Sequence, residues 1–169
     1  MTGSPPDCHA CVVQRRRDFL RDVAVLVAGS LAALGVGPGR AAALPVRFGR
    51  ALDSRDDERT YPIPDSDGVT IDRDNEVILV RYEQRAYGFA LACPHQNTAL
   101  RWHPEDGQFQ CPKHHSRYRP DGVFISGRAT RSMDRYAVRR DGGNVVVDLD
   151  KLYRQDRAPD DWAAAVLVL

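Results

Sequence analysis

The stretch that decides how this chain reads runs from Cys93-Pro94-His95 to Cys111-Pro112-Lys113-His114, with fifteen residues between His95 and Cys111. A C-x-H loop and a C-x2-H loop each bring one thiol and one imidazole to a common point, and a proline follows each cysteine. Four such donors suit a tetrahedral zinc. They also suit a [2Fe–2S] cluster with two cysteines on one iron and two histidines on the other. Structural zinc more often shows C-x2-4-C followed by H-x3-5-H, a pattern not present here.

Working outward, the 169 residues allow one domain with a short appendage. The net charge of +1 argues against a nucleic-acid partner. Of the four cysteines, Cys8 and Cys11 stand in a polar leader, which leaves Cys93 and Cys111 to the globular part. Around the two loops lie short strands separated by turn residues. Glu76–Tyr82 and Ala86–Ala92 form a hairpin that feeds the first loop, with Val77-Ile78-Leu79-Val80 apolar throughout. Leu100–His103 and Gln108–Gln110 flank the turn Pro104-Glu105-Asp106-Gly107, and Gln110 leads into the second loop. Ser116–Arg119 pairs with Val123–Ile125, and Arg135–Arg140 with Asn144–Leu149 across Asp141-Gly142-Gly143. This spacing predicts an all-β domain, a sandwich or barrel, with no helical period of useful length.

The paired loops, in order, ligand type and separation, resemble those of the Rieske iron–sulfur family, over about Val77–Leu149. The resemblance implies an antiparallel β-sandwich or barrel with a cluster-binding subdomain of two ligand loops. It also implies one Rieske-type [2Fe–2S] cluster, with Cys93 and Cys111 on the inner iron and His95 and His114 on the outer one. Ser116 and Tyr118 match the hydroxyls that bond cluster and cysteine sulfurs in high-potential members. Thr98 and Lys113 stand where those members carry a loop-bridging disulfide, and Gln96 replaces a leucine at the quinol site. Gly127-Arg128-Ala129-Thr130 takes the place of the family's proline-rich loop without its prolines. His103 and His115 are the two histidines left over in the domain, read as surface or loop residues. No catalytic residue is implied.

Upstream, Arg15-Arg16-Arg17-Asp18-Phe19-Leu20 resembles a twin-arginine export signal built on Arg16 and Arg17. An apolar run over residues 23–39 and the small residues Ala41 and Ala43 follow. Residues 1–43 are expected as this signal, cleaved or retained as a membrane anchor, although the uncharged run is short of about 20 residues. Without them, 19 basic and 20 acidic residues remain. Residues 44–75 read as a charged linker with the first strands, 76–150 as the cluster domain, and 151–169 as a tail. The apolar end of that tail either packs back or docks on a partner.

The function expected is an exported electron-transfer subunit, periplasmic or on the outer face of the membrane, rather than a catalyst by itself. Its partner is expected to be a larger redox subunit, either a molybdenum oxidoreductase as in arsenite oxidases or a cytochrome b-type protein. A c-type cytochrome or similar carrier is the expected acceptor. An oxygenase needs a second iron held by two histidines and a carboxylate, for which 169 residues leave no room. A structural Cys2His2 zinc domain is the alternative of another class.

Overall fold

The computed structural model describes residues 44–169. Cys8, Cys11, Arg16, Arg17, the apolar run 23–39 and the cleavage candidates Ala41 and Ala43 lie outside the described residues. Among the described residues no helix is long and apolar enough to cross a membrane.

Strand β5 (Val77–Tyr82) explains the architecture. A run of four apolar residues cannot face water on either side of a sheet, so both faces must be covered. Val77 and Leu79 pack with Tyr61, Ala86, Val145 and Val147 on one face. Ile78 and Val80 pack on the other with Val69, Phe89, Leu100, Trp102 and Phe109. Each such buried side chain is worth about 1.5–3 kcal/mol. Tyr82 turns directly into β6 (Arg85–Ala90) through Glu83 and Gln84, at φ of 49° and 59°. Two left-handed residues in a two-residue loop match the twist of the flanking strands.

The larger sheet runs β1 (Val46–Phe48), β4 (Gly68–Asp72), β5, β6, β11 (Arg135–Asp141), β12 (Asn144–Tyr153), β3 (Glu58–Pro62), β2 (Asp53–Arg55). Its pairings are antiparallel except for β1 with β4, which is parallel. The all-β expectation holds. A smaller sheet has the order β10 (Phe124–Ser126), β9 (Arg117–Tyr118), β8 (Gln108–Gln110), β7 (Arg101–His103). It is inserted between two neighbours of the larger sheet: the chain departs after β6 and returns in β11, where Arg135 pairs Phe89. Backbone bonds from Ala90 to Asp134 (3.1 Å) and from Leu91 to Glu76 (2.8 Å) close the base of this excursion.

Two stretches differ from the sequence reading. Asp53–Arg59, within the segment expected as a charged linker with the first strands, lies in the hairpin of β2 and β3, because β3 pairs β12 and buries Tyr61 beside Val145. Charged residues on such an outer strand discourage pairing with another chain. The tail does not hang free. It forms a short helix, α1 (Pro159–Ala164), and β13 (Leu167–Val168), which pairs β6 at Ala86 and Arg85. An irregularity in β11 between Tyr136 and Ala137 breaks its regular pairing there, and β13 takes the remaining edge of β6.

Trp162 of α1 fixes this return. Its indole nitrogen donates to the Met133 carbonyl at 2.8 Å, and the buried Arg135 guanidinium lies 3.6 Å from the Trp162 ring. Among the described residues no carboxylate partners Arg135; it donates instead to the carbonyls of Trp162 and Asp121, and burial pulls its pKa down to about 10.

Candidate metal centre

The two ligand loops, one between β6 and β7 and the other between β8 and β9, carry the same backbone bonds. In the first, Cys93 N–H donates to the Thr98 carbonyl and Asn97 N–H to the Cys93 carbonyl, each at 2.9 Å. In the second, Cys111 N–H donates to Ser116 and His115 N–H to Cys111, again at 2.9 Å. Asn97 and His115 occupy the same left-handed corner, at φ of 51° and 57°. His115 is therefore the corner residue of its loop, and its Nδ1 lies 3.3 Å from the Gln110 amide.

The donors are sorted in pairs. Cys93 and Cys111 are buried free thiols within hydrogen-bonding reach of each other. His95 and His114 stand part-exposed above them with ring centroids 4.8 Å apart. The Nδ1 atoms of both rings are buried and have no hydrogen-bond partner. Burial, then the charges of Arg128, His95 and Lys113, hold His114 below the ordinary histidine range, so it is a neutral donor at pH 7. A buried nitrogen without a partner costs free energy unless something binds it. Two thiols together and two imidazoles together fit a two-iron cluster; a single ion needs its donors around one point. Among the described residues no group of three or more His, Cys, Asp or Glu is placed around one ion.

The surroundings of the two thiols differ. Burial pushes Cys93 up, against donors from the Tyr118 hydroxyl and the His95 N–H. Burial acts on Cys111 as well, but the N–H groups of His114 and Lys113 outweigh it and hold that thiol down. Tyr118 Oη lies 3.4 Å from Cys93 Sγ. Burial and this contact push the phenol far up, so it keeps its proton. Ser116 is fully buried; its hydroxyl accepts from Ala129 N–H at 3.0 Å, and its proximity opposes the rise of the Tyr118 phenol.

Three residues were missed in the sequence. Thr98 stands where a cysteine was expected, and its hydroxyl is among the groups that hold the Cys111 thiol down. Gly127, at φ 112°, lies so close to Ser116 that any side chain would overlap the Ser116 backbone. Arg131 is held by Asp134 in two bonds of 2.9 Å and donates to the Pro94 carbonyl at 3.3 Å. The loop without prolines thus touches both ligand loops, Ser116 through Ala129 and Pro94 through Arg131. His103, expected as a surface or loop residue, lies half-buried in β7, where it pairs Gln108.

An all-β domain with an inserted small sheet that presents two buried thiols beneath two imidazoles defines a cluster-binding protein. Residues 58–137 match the family model of the Rieske [2Fe–2S] domain. The chain carries a Rieske domain, and with it one [2Fe–2S] cluster of that type. It is 30% identical over 88 residues to the cytochrome b6-f complex iron-sulfur subunit of Bigelowiella natans, covering 52% of this chain and 30% of that protein. It is 51% identical over 42 residues to cytochrome b6-f complex iron-sulfur subunit 3 of Nostoc sp., covering 25% of this chain and 24% of that one. The matched stretch thus spans a third or less of these relatives. The plasma membrane Rieske protein PetC3 of Synechocystis PCC 6803 superposes with a TM-score of 0.40 at 23% identity, over 47% of this chain and 83% of that one.

Proposed function

We propose that this chain is a single-electron carrier subunit in which Cys93 and Cys111 hold one iron of the cluster and His95 and His114 the other. The observation that carries the ligand set is the pair of buried Nδ1 atoms without partners, above two adjacent free thiols. His114 rather than His115 is the ligand, because His115 is turned to Gln110 by its left-handed backbone. When bound, such a cluster takes up and releases one electron, at potentials above those of all-cysteine ferredoxins because neutral imidazoles replace two thiolates. The part-exposed imidazoles are the side on which an electron partner approaches, and the buried thiols are kept from water. Tyr118 and Thr98 each offer a hydroxyl to a cysteine sulfur, and the peptide N–H groups at 95, 113 and 114 add to them.

Purified chain should be red-brown, with a rhombic EPR signal when reduced. His114→Ala should lose both; His115→Ala should keep both. The opposite pattern would move the ligand by one residue, and a colourless zinc-loaded protein would replace the reading altogether.

Relatives named as cytochrome b6-f subunits support a cytochrome b-type complex as the partner, with a c-type cytochrome or similar acceptor. Gln96, Thr98 and Lys113, which depart from the quinol-site and disulfide pattern, favour the second reading, a molybdenum oxidoreductase. Reduction of the purified protein by a quinol-oxidising membrane fraction, compared with a molybdenum enzyme fraction, separates the two. Export through Arg16 and Arg17 is part of the same proposal. Changing both to lysine should leave the folded, cluster-bearing protein in the cytoplasm, and unchanged export would refute that route.

A further inference from the structure

Residues 44–169 are almost neutral, with 19 basic and 20 acidic side chains, but the charge is not evenly spread. The segments that build the cluster end are 93–101, 110–119 and 124–131. They hold Arg101, Lys113, Arg117, Arg119, Arg128 and Arg131, and not one Asp or Glu. Arg119 and Arg131 are occupied by Asp121 and Asp134. Arg101, Lys113, Arg117 and Arg128 are exposed, and among the described residues no carboxylate lies within ion-pair distance of them.

The small sheet aligns two of these cations. Arg101 pairs with Gln110, Gln110 with Arg117, and Arg117 with Ser126, so one row crosses all four strands at the end next to the ligand loops. Residues in register share a face. The next row, Trp102, Phe109 and Tyr118, is buried, so the row of Arg101 and Arg117 looks outward. Gln110 joins this row to the second ligand loop through His115. Lys113 adjoins His114, and Arg128 is among the charges felt at its ring. Ile125, 49% exposed, adds an apolar surface beside Ser126.

We propose that this end of the domain is a basic docking face for a carboxylate-rich surface of a redox protein. The proposal rests on the electron-transfer reading and specifies the chemistry of the partner. Complementary charge chiefly raises the rate of encounter and sets orientation, which is what a carrier with a part-exposed metal centre needs. A domain with a net charge of only −1 gains little such steering as a whole, so the effect must come from this face.

The test uses the cluster-loaded chain and two anionic probes. Binding of fluorescent poly-L-glutamate is followed by anisotropy, which needs no electron transfer. Oxidation of the dithionite-reduced cluster by hexacyanoferrate(III), one electron per cluster, is followed by stopped flow. The wild type should bind poly-L-glutamate at low salt, and the bound polymer should slow oxidation. The oxidation rate should also fall about three- to tenfold as ionic strength rises from about 10 to 200 mM, as the Debye length shortens. The variant Arg101→Gln/Arg117→Gln/Arg128→Gln should lose the binding and flatten the salt dependence, with its visible circular dichroism unchanged. Arg47→Gln/Arg85→Gln/Arg140→Gln, an equal charge change on exposed residues elsewhere in the larger sheet, should behave as wild type. Equal effects of the two triple variants would overturn the proposal. So would binding, through the three named arginines, to phosphatidylglycerol vesicles but not to poly-L-glutamate, which would make the face a membrane contact. Absence of a Rieske spectrum would refute the electron-transfer reading, and the anisotropy arm would still decide the docking face.

Discussion

Tyr118, Ser116 and Thr98 set the chemistry of the two sulfurs at the scale of single residues. A hydroxyl that donates to sulfur stabilises the more negative, reduced cluster, so its loss lowers the midpoint potential. A hydrogen bond to a charged group is worth about 1.5–3 kcal/mol in full, and only its difference between redox states counts. With about 59 mV for each 1.4 kcal/mol in a one-electron couple, tens of millivolts per hydroxyl is the scale. Tyr118→Phe should therefore lower the midpoint by tens of millivolts, read by redox titration. Ser116 shifts the ionisation of the Tyr118 phenol, so the two hydroxyls are coupled: Ser116→Ala should lower the midpoint too and the double variant should fall short of the sum. Thr98→Val removes the hydroxyl on Cys111 at nearly constant volume and should act in the same direction. A midpoint unmoved by all three would show that these hydroxyls do not reach the cluster.

Among the elements, the loop from Gly127 to Asp134 is the one that ties the ligand loops together. Arg131 spans from Asp134 to Pro94 of the first ligand loop, and Asp156 stands 3.5 Å from it on the tail. The Arg131–Asp134 pair is largely buried, with side chains 14% and 10% exposed. Removing one partner of a fully buried pair costs about 3–5 kcal/mol. Arg154, 3.9 Å from Asp134, takes part of the load here. Arg131→Gln should thus destabilise the holoprotein by about 2–3 kcal/mol in denaturant unfolding and speed cluster loss. Arg131→Gln/Asp134→Asn should recover part of that. If the double variant lost as much as the sum of the singles, the two residues would not be acting as a pair. Gly127→Ala should be worse than either, since its Cβ has no space over Ser116.

For the molecule as a whole, stability in acid turns on Asp72, a buried carboxylate at the end of β4. Burial alone would raise its pKa. Donors from Asn75 (side chain and N–H), Ala51 N–H and the Tyr61 hydroxyl outweigh that and hold it below its usual value. A folded-state pKa below the unfolded one of about 3.9 adds stability that is present above that value and lost as pH falls through the folded one. Asp72→Asn should therefore cost about 1–3 kcal/mol at pH 7 and progressively less below about pH 4, measured by denaturant unfolding; a constant difference across that range would refute this. Asp72 also shows where sequence reading stopped, for it lies in a segment that read as linker and short strand. The strands of β5 and β6, the hairpin of β11 and β12, and all four ligand candidates were legible, because period, turn chemistry and metal-donor spacing are local patterns. The hairpin of charged β2 and β3, the return of the tail and the tie from Arg131 to Pro94 were not. Each depends on a partner distant in the chain: β12 for β3, β6 for β13, and a carbonyl 37 residues away for Arg131. The sequence by itself determined which side chains could bind the cluster and how the chain approaches them. Only the tertiary structure decided what joins the two ligand loops and which charges surround the imidazoles, because long-range packing sets those contacts and no local pattern encodes it.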